Sequence, residues 1–145
     1  MNDKQSTEAE RSRRFGWTSL LVWAALGFAL ETAHGFKLPI YVDDELARML
    51  LRLGHAHGVG LSLVVLLYAA TIVPTQALEP GRVPLTGRLL RVASVMMPLG
   101  FALSAFGHPE GDPSPVIVLV PLGALSLLIA LSLIVRALWS NTLRD

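Results

Sequence analysis

The residues of this chain best suited to chemistry are four histidines, His34, His55, His57 and His108, and a carboxylate, Glu31, set inside an apolar stretch. Glu31 and His34 stand three apart, so on a helix they share a face, and Glu-x-x-His is the spacing by which helical bundles offer a carboxylate and an imidazole to one metal ion. His55 and His57 open a second apolar stretch on different faces. His57 is the better inward candidate, because Tyr68, Thr71 and Thr75 follow on its side, and His55 is the second choice. His108 closes a third stretch, with Ser104 one turn earlier on the same face. Glu31, His34, His57 and His108 would then form a metal site of imidazole and carboxylate ligands, a set that suits iron, copper or zinc rather than magnesium or calcium.

A b-type haem is the competing chemistry. It needs two facing imidazoles, drawn from His34, His57 and His108, and the His-Gly steps at 34–35 and 57–58 would let a flat ring approach the backbone. The residue types do not choose between metal and haem. They also fit a bundle with no cofactor, in which interfacial histidines bond headgroups and water and Glu31 pairs with Lys37, Arg48 or Arg52. Met96 and Met97 lie too deep in the third stretch to join the histidine layer and read as core. The His-Gly step at 57–58 resembles the haem-ligating helix of haem–copper oxidase large subunits over a few residues only. A twelve-helix enzyme does not fit in 145 residues, so no family follows from it.

The elements that must position these residues are membrane helices. Of 145 residues, 52% are hydrophobic and 16% charged, too apolar a balance for a soluble domain of this size. Four apolar stretches, Phe15 to Phe36, about His57 to Leu78, about Leu89 to Gly107 and Pro115 to about Trp139, approach or exceed the roughly 20 residues that cross a bilayer as a helix. Nine basic residues (Lys4, Arg11, Arg13, Arg14, Arg82, Arg88, Arg91, Arg136 and Arg144) fall on one side of this arrangement, and Lys37, Arg48 and Arg52 on the other. The positive-inside rule therefore puts both termini in the cytoplasm and the histidines outside. The expected location is the bacterial inner (plasma) membrane.

Between the first two spans, Asp43 and Asp44 offer a helix N-cap, and Leu46, Met49, Leu50 and Leu53 recur at helical steps opposite Arg48 and Arg52. This reads as a short amphipathic helix lying on the interface. Thr86 is available to cap the third span. Pro74, Pro98 and Pro121 read as helix prolines tolerated by neighbouring packing, and Gly27, Gly58, Gly60, Gly100 and Gly123 as close-packing positions. The first ten or so residues bury nothing recognisable and are expected to be disordered.

Residues 1–14 thus form a polar cytoplasmic tail, 15–139 a four-helix transmembrane domain and 140–145 a second cytoplasmic tail. With no cysteine there is no disulfide, thiolate metal site or iron–sulfur cluster, and no basic patch speaks for nucleic acid. No catalytic motif or catalytic residue is identifiable. The expected fold is an all-α membrane bundle of four helices with one interfacial helix. The expected function is a metal- or haem-binding membrane protein with its site at the outer end. The alternative is a non-catalytic accessory subunit of a larger membrane complex. Partners are then the lipid bilayer and either such a complex or further copies of the chain.

Overall fold

From Asp3 to Gly35 the sequence offers no proline and a run of good helix formers, and it folds as one helix, α1 (Asp3–Gly35). The structure, a computed structural model, describes residues 3–109 and 111–142. Helix α1 corrects the expectation of a disordered N-terminal segment. Gln5, Glu8, Ala9 and Ser12 recur at three- and four-residue steps and are buried, so this polar stretch is an amphipathic helix face docked on the rest of the chain. The change in composition near residue 14 marks no break in the helix.

Lys37, in the left-handed backbone region at φ 51°, turns the chain out of α1 into the single turn α2 (Pro39–Val42). Asp44 then caps α3 (Glu45–Leu67), its Oδ1 accepting the Ala47 N–H at 2.8 Å. The expected interfacial helix does not exist as a separate element: residues 45–53 are the first turns of α3, continuous with the second span. Gly54, the natural break point, stays helical because its bare Cα lies against α5, where an added Cβ would stand 2.9 Å from the Pro98 carbonyl. Beyond Leu67 the helix passes through a π turn at Tyr68–Ile72 into α4 (Val73–Thr75). Pro74 explains the wider turn. It has no N–H for the carbonyl four residues back, and one extra residue per turn absorbs the mismatch.

Arg82–Ser104 forms α5, with Thr86 buried a turn inside it rather than capping it. A 3₁₀ turn at Pro115–Val118 leads into α6 (Leu119–Thr142). The long helices alternate in direction. His55 of α3 meets Trp23 of α1, Ser62 meets Ser19, Ser126 of α6 meets Leu89 of α5, and Tyr68 Oη donates to the Val83 carbonyl at 2.6 Å. One core cluster, around Val65, Tyr68, Val83, Leu90 and Ile134, fills the end where α1 begins. A smaller one, Ala47, Leu50 and Ala105 with Phe101 and Ile117, fills the end where α1 finishes.

Among the described residues, three helices are long and apolar enough to cross a membrane: Gln5–Gly35, Glu45–Thr75 and Pro115–Ser140. Large apolar side chains stand exposed along them, among them Leu21, Phe28, Leu67, Leu125 and Leu128. Apolar cover on this scale suits hydrocarbon rather than water. The expected fourth span, α5, is not among the three. It carries Arg82, Arg88 and Arg91 and is the most enclosed of the long helices, packed against α1, α3 and α6 with eleven buried residues. Those buried positions are mostly small or weakly polar (Thr86, Gly87, Ala93, Ser94, Gly100, Ala102, Ser104). A helix that faces other helices gains by close approach as well as by hydrophobicity, and the small residues at these positions serve that approach.

Candidate functional site

His108 and Asp44 make a charged side-chain contact at the histidine end. His108 lies in the connection after α5, and its Nε2 stands 2.9 Å from Asp44 Oδ2, while its Nδ1 stands 3.0 Å from the Pro109 carbonyl. Both ring nitrogens face acceptors, so both satisfy their partners only as N–H donors, in the imidazolium form. The Pro109 carbonyl, and after it the Asp44 carboxylate, hold His108 above the ordinary histidine range. The Ala47 N–H, and after it His108, hold Asp44 below the usual carboxylate range. The pair joins the α5–α6 connection to the cap of α3.

A pH dependence follows from these directions. The raised His108 contributes stability that is complete below about pH 6.5 and lost as pH rises through its higher folded value. The lowered Asp44 contributes stability that is complete above about pH 3.9 and lost as pH falls through its folded value. The connection is therefore best anchored between those limits. An NMR titration of the histidine rings should place the His108 midpoint above about 6.5 and move it down in Asp44→Asn. An unmoved midpoint would remove the contact from the account.

His55 and His57 are both half-buried on α3, but they face different neighbours. His55 Nδ1 lies 2.8 Å from the Trp23 carbonyl, with its ring against the bare Cα of Gly27, so His55, the second choice from sequence, is the one wedged between two helices. His57 bonds the Leu53 carbonyl one turn back through Nδ1 at 2.9 Å, and its ring lies 4.9 Å from that of Phe101 on α5. His34 is exposed and meets Tyr41 edge-on, with ring centroids 6.3 Å apart. Glu31 is exposed and pairs with none of Lys37, Arg48 or Arg52 among the described residues; Arg48 bonds the Val42 carbonyl instead.

The expected layer of Glu31, His34, His57 and His108 is thus not drawn together. Among the described residues no three His, Asp or Glu side chains converge in a way that could hold a metal ion. His108 is tied to Asp44, His55 to α1, His57 to its own helix and α5, while Glu31 and His34 point outward. Sequence reasoning missed two polar constellations. One is Asp44–His108, which joins residues 64 apart. The other, at the opposite end, is a buried ion pair of Glu8 with Arg91, in which Arg91 Nη1 also bonds Ser12 Oγ at 2.8 Å and Ser12 Oγ bonds Glu8. The only sequence signal for the second was the helical spacing of Glu8 and Ser12 in a segment read as tail. No family model matches the chain, and neither a curated protein nor a solved structure is significantly similar to it.

Proposed function

We propose that the chain is a small integral membrane protein of four crossings, with both termini in the cytoplasm, that serves as a non-catalytic accessory subunit beside a larger membrane complex. One observation supports this reading most. Apart from the Thr86 and Ser114 hydroxyls, which are buried without a hydrogen-bond partner among the described residues, polar side chains inside the bundle are engaged within the chain, in Glu8–Ser12–Arg91, Ser19–Ser62, Tyr68–Val83 and Ser126–Leu89, while apolar side chains cover the outer faces of all four long helices. A fourth crossing fits α5, which runs lengthwise between helices that are themselves long enough to cross. The nine-to-three division of basic residues orients the bundle with the Glu8 end inward, as for a bacterial inner-membrane protein.

The absence of cysteine makes topology directly testable with single substitutions. In Ser6→Cys, Gly81→Cys and Asp112→Cys variants, a membrane-impermeant thiol reagent added outside should label only position 112. Labelling of 81 and 112 from the same side would mean that α5 does not cross.

A second reading, a haem or transition-metal site, has a specific observation in its favour. The Nδ1–H of His57 donates to the Leu53 carbonyl, which fixes the tautomer that leaves Nε2 free as a ligand. His57 lines an open groove of about 310 Å³ with Ala56, Gly60 and Leu61. A second ligand would come from another copy or a partner. Protein purified in mild detergent from its own host decides between the readings. An accessory subunit migrates in an assembly well above its own 15.7 kDa and shows no Soret band or bound metal. A Soret band or stoichiometric iron, copper or zinc that disappears in His57→Ala establishes the second reading instead.

A further inference from the structure

We infer that the seam between α1 and α5 is a binding site for one anionic phospholipid of the inner leaflet. Helix α1 packs chiefly on α3, and beside it the line of approach to α5 stays open as three cavities. The lowest, about 270 Å³, is bordered by Asp3, Thr7, Glu8, Arg11 and Pro84; the next, about 490 Å³, by Phe15, Arg88, Arg91, Val92 and Val95; the highest, about 240 Å³, by Phe15, Thr18, Val22, Trp23, Val95 and Leu99. Phe15 and Val95 border both of the upper two, so these form one groove.

The two walls have the same sequence logic. Arg11, Phe15, Thr18 and Val22 follow at steps of three and four on α1, and Arg88, Val92, Val95 and Leu99 do so on α5. Each wall is a cation at the cytoplasmic end followed by an apolar stripe running toward the bilayer centre. The cations differ in engagement. Arg13 and Arg14 are held by Glu10, and Arg91 by Glu8, whereas Arg11 and Arg88 have no ion-pair partner among the described residues. Arg11 and Arg88 are both exposed. The groove therefore presents the Arg88 guanidinium at headgroup depth and an apolar channel above it, while Arg11 stands at the cavity below, which Asp3 and the Arg91-paired Glu8 also border. That charge pattern complements a phosphodiester attached to an acyl chain, and guanidinium is the side chain best matched to phosphate oxygens. A partner helix would complement the apolar stripe and leave Arg11 and Arg88 uncompensated.

This inference rests on the reading that α1 and α5 lie in the bilayer, and the two fail separately. The test is native mass spectrometry of protein released from vesicles of equimolar phosphatidylglycerol and phosphatidylcholine. Wild type should retain phosphatidylglycerol at least several-fold over phosphatidylcholine. The Arg11→Gln/Arg88→Gln variant should lose that preference. Arg13→Gln/Arg14→Gln, with the same change in charge on the same end of the molecule, should keep it. Val95→Trp, which fills the groove and leaves charge unaltered, should also lose the lipid. Equal retention of the two lipids by wild type, or equal loss in both arginine variants, would overturn the site while the protein remains a membrane protein. If Val95→Trp instead turns a dimer into a monomer with lipid retention unchanged, the groove belongs to a second copy and the inference fails. Failure of the protein to enter vesicles at all would strike the membrane reading itself.

Discussion

Glu8→Ala is expected to be among the most damaging single changes in this chain, lowering stability by about 3–5 kcal/mol. The Glu8 and Arg91 side chains are 3% and 14% exposed, and the carboxylate also holds Ser12. Removing it leaves the Arg91 guanidinium buried without a counter-charge. Arg91→Ala should do comparable harm from the other side. The pair differs from the surface pairs Glu10–Arg13 and Glu79–Arg82, which stand largely exposed and should each contribute no more than about 1 kcal/mol. The informative comparison is Glu8→Leu with Arg91→Met: removing both charges together should recover most of what either single change loses. Gly87 belongs to the same unit, because a Cβ there would run into the Glu8 carboxylate, so Gly87→Val should resemble Glu8→Ala. Reversible unfolding in mixed detergent micelles measures all four. A Glu8→Ala protein as stable as wild type would show that the pair does not form.

The second large effect is expected at Gly58. Its Cα faces the ring of Trp23, and an added Cβ would fall within the indole itself. Trp23 is buried and cannot swing away without giving up its place between α1 and α3. Gly58→Leu should therefore cost at least about 1–3 kcal/mol by overpacking, and Trp23→Ala about 3–5 kcal/mol by leaving a void. The sign of their coupling is the test. With the indole gone, the leucine finds room, so the double variant should be more stable than the sum of the single effects predicts. Strict additivity would mean that the two positions do not touch.

Much of the fold was legible in the sequence because apolar periodicity and length report what a helix shows to its surroundings. Three of the four expected spans are long and apolar enough to cross a membrane, and Asp44 caps a helix as its type and place suggest. The fourth expected span, α5, is not among them. α5 shows other helices much of its surface, so its signal is small residues at intervals, mixed with Arg88 and Arg91. The helical N-terminus was missed because Glu8 and Ser12 look solvated until Arg91, 83 residues away from Glu8, is known to face them. The candidate site failed differently. Glu31 and His34 do sit three apart on one helix, but a shared face says nothing of which way that face turns, and here it turns outward. His108 was placed at the correct end, but its partner was a cap residue on another helix, a contact that hydropathy cannot report.

The enclosure of α5 also bears on how such a chain is made. On the four-crossing reading, the ribosome delivers α5 before α6, the helix against which it packs most extensively, and Arg91 carries a charge whose insertion into a bilayer costs about 2.5–3.5 kcal/mol at the centre of a lone helix. Its counter-charge, Glu8, lies 83 residues earlier in the chain and is synthesised well before it. α1 must therefore wait at the membrane with an acidic side chain unmatched until the third long helix arrives. Biogenesis of this small bundle is then a problem of order: the Glu8 segment becomes fully native only after Arg91, 83 residues later, has been made.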